Sequence, residues 1–182
     1  MASVIIIPPT QEPVTLDMVK SQSRITHNLD DALLQSYITA ARDYLQIVTR
    51  RQFVAATLQW TGLQQPQGVV TLDCPPLQSV SEVATLSHNV PTVIDPTLYT
   101  VLTNREPGQV LLLTPVALTT LLRVTYVAGY ATPEAMPPSL RQATLLLVSH
   151  WYEHREASTM ESMMCLPYAV EALVWANKLV TA

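Results

Sequence analysis

Apolar residues recur at intervals of three and four in two long stretches of the chain, one in each half. The first predicts a helix that opens at Asn28, and the second predicts a helix that begins at Ser139 or Pro138. Each helix has one apolar stripe that needs a core to face. The stripes are Leu33, Leu34, Tyr37, Ile38, Ala41, Tyr44, Leu45 and Val48 in the first helix, and Leu140, Ala143, Thr144, Leu147, Val148, Trp151 and Tyr152 in the second.

Between these helices, from Phe53 onward, short runs of β-favouring residues alternate with turn residues. The segment leaves no room for helical crossovers, so the sheet is predicted to be an antiparallel meander. Gly108, in a Glu-Pro-Gly turn, is free to adopt a positive φ. The predicted strands are Val54–Thr61, Gly68–Leu72, Val80–Leu86, Leu98–Thr103, Gln109–Leu113 and Leu121–Val127.

Two shorter helices are predicted near the ends of the chain. One covers Val14–Ser23 with Thr15 as its N-cap, and the other covers Tyr168–Leu179 after Pro167. Residues 1–13, with three prolines, form an extended arm.

The order of these elements predicts the fold class. We expect an α+β protein with a single domain over residues 1–182. A small helical bundle, in which the N-terminal and C-terminal helices pack together, consists of residues 14–52 and 138–182. An antiparallel β insertion, residues 53–130, lies between the helices in the chain.

Composition limits the partners of this protein. Apolar residues make up 48% of the chain, charged residues 13%, and the formal net charge is −4. A surface so poor in charge suggests that partner chains cover much of it. A protein that binds nucleic acid through its phosphates needs clustered Lys or Arg side chains. This sequence has no block of Lys or Arg, so sequence-specific DNA binding is not expected.

The sequence has no signal for membrane insertion, a disulfide framework or a cofactor. The apolar run Val4–Ile7 is too short for a signal peptide or a membrane span, so the protein is expected to stay in the cytoplasm of the cell that makes it. Cys74 and Cys165 share no short spacing of the kind that metal or redox pairs need.

One motif carries candidate chemistry, the H-x-x-E-H pattern of His150, Glu153 and His154. On a helix, the i and i+4 spacing places both imidazoles on one face, where they could bind zinc while Glu153 activates water. A third ligand is also needed, and Glu171 is the one candidate. A zinc-dependent hydrolase is therefore the alternative hypothesis, but we favour polar residues beside an apolar stripe and expect neither a catalytic residue nor a metal.

Two segments near the end suggest contact surfaces. The loop of residues 158–165 contains Met160, Met163 and Met164, which suit either an adaptable contact surface or a loop without a partner. Trp175 and Lys178 could anchor a partner or pack onto the bundle.

Eight short segments, in order and spacing, resemble one known family. They are Glu12–Leu16, Asp30–Leu34, Ala40–Leu45, Cys74–Val80, Glu106–Gly108, Val127–Tyr130, Leu146–Glu153 and Leu166–Leu173. This pattern is similar to the head–tail connector proteins, also called adaptor or head-completion proteins, of long-tailed bacteriophages and gene-transfer particles. The resemblance covers nearly the full chain.

The resemblance implies a structural role in the neck of a virion. Family members form a ring, usually of twelve subunits, which binds the portal protein, receives a tail-side neck or stopper protein and extends the channel through which double-stranded DNA passes. No catalytic residues are implied. A neighbouring neck component, a stopper or a tail terminator, is the closer alternative. The predicted portal-binding residues are Tyr168, Leu173, Trp175, Lys178 and Leu179, and deleting residues 168–182 is expected to abolish docking.

Overall fold

The computed structural model describes residues 3–88, 90–114, 116–154 and 168–179. The chain divides into two compact units. The first, here called the β unit, comprises Met1–Thr10 and Arg50–Ala131. The second, the helical unit, comprises Gln11–Thr49 and Thr132–Ala182.

The helical unit contains four described helices, so the α part of the prediction is confirmed. They are α1 (Leu16–Ser23), α2 (Asp31–Thr49), α3 (Pro138–Glu153) and α4 (Tyr168–Trp175). Thr15 caps α1 as predicted, because its hydroxyl accepts a hydrogen bond from the Met18 amide at 3.2 Å. No helix in the described part of the chain is long and apolar enough to cross a membrane.

Helices α2 and α3 contact each other through their predicted stripes. The Trp151 ring meets the edges of Tyr37 and Tyr44, with centroid distances of 6.2 and 6.4 Å. Burial follows the three- and four-residue spacing. The buried stripe residues are Leu34, Ile38, Ala41 and Leu45 in α2, and Leu140, Ala143, Thr144, Leu147 and Val148 in α3.

The described residues of the β unit form eight strands in two antiparallel sheets. The five-stranded sheet has the order β1-β2-β8-β4-β5, and the three-stranded sheet has the order β3-β7-β6. The strands are β1 (Val4–Ile7), β2 (Ala56–Leu63), β3 (Val69–Thr71), β4 (Leu77–Ser87), β5 (Val90–Val93), β6 (Tyr99–Leu102), β7 (Gln109–Leu112) and β8 (Leu121–Ala128).

Antiparallel pairing is confirmed, whereas the simple meander is wrong. Strand β8, the last in the chain, lies between β2 and β4 and pairs with both. Every second side chain of β8 is fully buried, as expected of a central strand: Leu122, Val124, Tyr126 and Ala128. The sequence analysis also missed β1 and β5, both edge strands.

The two sheets share one apolar core. From the five-stranded sheet it includes Leu58, Val83, Val124 and Tyr126, each at most 1% exposed. The three-stranded sheet contributes Val70 and Val110 of β3 and β7, with Leu72 just after β3. Burying one face of each sheet stabilises both sheets by the hydrophobic effect.

Candidate functional site

The H-x-x-E-H segment lies at the C-terminal end of α3. The helix ends at Glu153, so His154 is its C-cap and not a helical residue. The His154 amide donates a hydrogen bond to the His150 carbonyl oxygen at 3.0 Å, and its ring Nδ1 lies 3.0 Å from the same oxygen. A carbonyl oxygen can only accept, so this contact requires the tautomer with the proton on Nδ1, which leaves Nε2 as the metal-binding atom of this ring.

The two imidazole rings contact each other, with a centroid distance of 4.6 Å. Glu153 and Glu171, the expected water activator and third ligand, are both exposed. Within residues 3–88, 90–114, 116–154 and 168–179, no group of three or more His, Cys, Asp or Glu side chains could hold a metal ion. In the structure, His150, Glu153 and His154 are polar residues at the C-terminal end of α3.

The predicted partner-binding residues lie on α4 and in the segment that follows it. Tyr168 and Trp175 are 85% and 62% exposed. Residues seven apart are two turns apart on one helix face, so both rings belong to the same exposed face. The Lys178 ammonium lies 5.3 Å from the centre of the Trp175 ring, a cation–π contact. We call Tyr168, Trp175 and Lys178 the α4 surface.

Leu173 and Leu179 do not belong to this exposed surface. Both are half-buried, on the side of the segment that packs within the helical unit. The structure therefore brings together three of the five predicted residues and places the other two in supporting positions.

The segment that carries the α4 surface packs against the helical unit through its opposite side. Val170 and Val174 are buried on the opposite face of α4. The Asn177 amide nitrogen donates to Ser139 Oγ and to the Leu173 carbonyl oxygen, at 2.9 Å each. The Leu179 amide donates to the Thr49 carbonyl oxygen at the end of α2, at 3.0 Å. These contacts hold the exposed rings on a fixed support.

Three of the short segments behind the resemblance converge within the β unit. In the Cys-Pro-Pro turn, the Pro75 carbonyl oxygen accepts from the Gln52 amide at 3.0 Å, and the Pro76 carbonyl oxygen accepts from the Gly129 amide at 2.9 Å. Gly129 has φ +108°, and a Cβ there would lie 2.5 Å from the Val54 carbonyl oxygen, so only glycine fits.

The Glu-Pro-Gly turn is also fixed by contacts with other parts of the β unit. Its Glu106 carboxylate pairs with the Arg51 guanidinium at 2.7 Å, and this hydrogen bond raises the pKa of Arg51. Gly108 does not have a positive φ, although glycine is free to adopt one. It is needed because a Cβ there would lie 2.5 Å from Leu77 Cβ. The recognisable segments therefore shape the fold of the β unit.

The helical unit contains an open cleft of about 690 Å³. The Glu12 carboxylate on its wall accepts hydrogen bonds from Arg42, at 2.7 Å, and Thr39, at 2.9 Å. Arg42 is buried and also pairs with Asp43 at 2.9 Å. These contacts fix the segment before α1 onto α2.

Two earlier predictions concern residues elsewhere. Met160, Met163, Met164 and Cys165 lie outside the described residues. Cys74 is half-buried, and its burial raises the pKa of the thiol, which disfavours the reactive thiolate. The feature that sequence reasoning missed is the exposed apolar strand β1, although four β-favouring residues bounded by prolines are a signal for an edge strand.

Comparison with solved structures finds the same fold over the whole chain. A subunit of the virion of a native gene transfer agent particle matches with a TM-score of 0.82 and 20% identity. A subunit of the neck of an empty gene transfer agent particle, computed with C6 symmetry, matches with 0.80 and 19%. A subunit of the neck of the native particle, computed with C12 symmetry, matches with 0.75 and 18%. Each match covers 100% of this chain and 97% of the other.

Comparison with protein families agrees with the resemblance found from the short segments. No curated protein matches the sequence. The family model of the head completion proteins matches residues 13–163, which is most of the chain. The chain therefore belongs to the head completion protein family.

Proposed function

We propose that this protein is a ring subunit in the neck of a phage-like particle, between the portal and the tail. One observation carries the proposal. The chain matches, over its entire length, subunits of solved necks that were computed with C6 and C12 symmetry. Membership of the head completion family supports the same role. On this proposal about twelve copies form the ring, and the next protein toward the tail binds its far side.

The composition is consistent with a channel that lets DNA pass. The chain carries a formal net charge of −4, so it has no general excess of cations to hold phosphates. Strong phosphate binding requires several positioned Lys or Arg side chains. A ring of such subunits is therefore expected to let double-stranded DNA slide without sequence-specific contacts.

We further infer that the helical unit is a small bundle into which the β unit is inserted. The chain order supports this layout, because the β segment Arg50–Ala131 separates the two parts of the helical unit. Helix α3 contacts α1, α2 and α4, as expected of a bundle.

The α4 surface is our candidate for portal contact. Exposed Tyr and Trp side chains on a fixed support suit a binding hot spot, because burying them removes much apolar area from water at little entropic cost. Leu173 and Leu179 hold this surface from the packed side.

Point substitutions test the α4 surface better than deleting residues 168–182. The deletion also removes buried Val170 and Val174, so it exposes the core of the helical unit. We expect the double variant Tyr168→Ala and Trp175→Ala to bind the portal protein of the same particle at least about tenfold more weakly.

The matched control is Leu29→Ala, at a side chain that is 90% exposed and lies in the same unit. Affinity is measured by surface plasmon resonance with immobilised portal. Equal binding of the double variant and the control would remove the α4 surface from the portal interface.

A further inference from the structure

Strand β1 is an edge strand whose side chains are exposed on both faces. Its four side chains, Val4, Ile5, Ile6 and Ile7, are 65%, 44%, 46% and 57% exposed. Successive side chains of a strand point to opposite faces, so both faces of the sheet are open at β1. Strands of stable sheets normally bury at least one face, and four adjacent exposed aliphatic side chains suggest a partner.

The outer edge of β1 has little protection against pairing with another strand. Natural edge strands are usually blocked by charged residues, proline or bulges. Residues 4–7 contain neither a charge nor a proline, and the one irregularity is a shift in register between Ile5 and Ile7. On its inner side, β1 pairs with β2.

The opposite edge of the same sheet is β5, and it is built differently. The Ile94 amide donates to the Val83 carbonyl oxygen at 2.8 Å, so Ile94 faces β4 and, by alternation, Pro91 and Val93 face outward. Pro91 has no N–H, so the outer edge of β5 offers carbonyl acceptors but lacks one donor. This deficit disfavours pairing between two β5 strands.

We propose that β1 of one copy pairs with the outer edge of β5 of the next copy, which rests on the ring of the proposed function. A closed ring needs two different, mutually complementary patches on each subunit, and the two ends of one sheet provide them. Val90 and Val93 of β5 are 63% and 60% exposed, so the new contact is apolar on both sides.

The sheet topology also determines the direction of this pairing. Four successive antiparallel pairings separate β1 from β5, so the two strands run in the same direction. If the ring axis lies along the strands, rotation preserves that direction and the strands of adjacent copies pair in parallel. A pair of four-residue strands supplies only part of a stable interface, so other contacts contribute.

Disulfide trapping tests the contact directly. In a chain with Cys74→Ser and Cys165→Ser, we introduce Ile6→Cys together with Thr92→Cys, and oxidise the protein at high concentration. Because each copy then carries one thiol on each edge, the expected product is a ladder of covalent multimers up to the ring. The matched control pairs Ile6→Cys with Thr100→Cys, an exposed position on β6 at the edge of the other sheet.

Each alternative product has a definite meaning. Dimers from Ile6→Cys alone indicate a symmetric β1 pair and overturn the proposal. A ladder with Thr100→Cys but none with Thr92→Cys also overturns it, because β1 then meets a different edge. The absence of any cross-link overturns it as well.

A second pair of variants distinguishes a failure of the β1–β5 contact from a failure of ring formation. Ile5→Lys with Ile7→Lys places two charges on exposed positions, so the fold is retained, as circular dichroism checks. We expect the protein concentration needed for ring formation to rise at least tenfold, whereas the control Leu29→Lys leaves it unchanged. Rings from the lysine variant at the wild-type concentration overturn the β1 contact and leave the proposed function intact. A wild-type chain that never forms rings contradicts both.

Discussion

The Cys-Pro-Pro and Glu-Pro-Gly turns of the β unit, together with Gly129 after β8, differ from the α4 surface of the helical unit in what their side chains already contact. At the turns, Gly129 and Gly108 fit against neighbouring atoms, and the Arg51 guanidinium pairs with Glu106. On α4, Tyr168 and Trp175 face outward. The segments that make the family recognisable thus stabilise the fold, whereas the candidate binding surfaces lie where packing is incomplete.

The largest loss of stability in the β unit is expected at Gly129. Replacing it with alanine forces a side chain into a positive φ and against the Val54 carbonyl oxygen. We expect the free energy of unfolding to fall by about 3 kcal/mol. Urea denaturation measures this change, and the control Ala131→Ser, at an exposed position, should stay within about 0.5 kcal/mol of wild type. A similarly small loss for Gly129→Ala would show that the turn tolerates a side chain.

Tyr126 connects β8 to the start of the chain and to the Cys-Pro-Pro turn. It is fully buried, and its hydroxyl is hydrogen-bonded to Ser3 Oγ at 2.7 Å and to the Asp73 carbonyl oxygen at 2.8 Å. Tyr126→Phe keeps the ring but removes both bonds, so we expect a loss of about 1 to 2 kcal/mol. Urea denaturation provides the measurement, and unchanged stability would mean that these bonds contribute nothing net.

The carboxyl group of Asp73 makes folding stability depend on pH in the direction opposite to that of most carboxylates. Burial raises the pKa of its carboxyl group, so the folded state holds this proton more tightly than the unfolded chain does. Its contribution to stability is therefore greatest below the unfolded pKa of about 3.9 and is lost as the pH rises through the folded pKa.

The variant Asp73→Asn should remove this part of the pH dependence. Thermal melts of both proteins between pH 3 and 7 provide the measurement. Relative to the variant, wild type is expected to lose stability as the pH rises. Parallel curves would contradict a raised pKa at Asp73.

The smallest effect on stability is expected at the α4 surface. Trp175→Ala removes a side chain that is 62% exposed, so the free energy of unfolding should change by less than about 0.5 kcal/mol. The same variant is expected to weaken portal binding. A large loss of stability would mean that Trp175 serves the packing of the helical unit.

The parts of the fold that follow local periodicity were predictable from the sequence. Helices α2 and α3 have apolar stripes over many turns, and α3 begins at Pro138, one of the two starts predicted for it. The N-cap of α1 was predictable too, because Thr15 combines a suitable side chain with a suitable position.

What could not be predicted depends on distant contacts. Strand β1 pairs with β2, more than fifty residues away, and nothing within Val4–Ile7 indicates that partner. Strand β5 contains Pro91, which argues against a strand unless its amide position faces outward at an edge. The H-x-x-E-H pattern presupposes a continuous helix, whereas α3 ends at Glu153 and His154 is its C-cap.

The central claim is that this chain works as a metal-free ring subunit. A native mass spectrum of the purified protein, at high concentration and without added metal or chelator, tests it most directly. We predict a species of about twelve subunits whose mass equals that of the polypeptide alone. A monomer that carries one zinc ion would contradict the proposal and support the hydrolase.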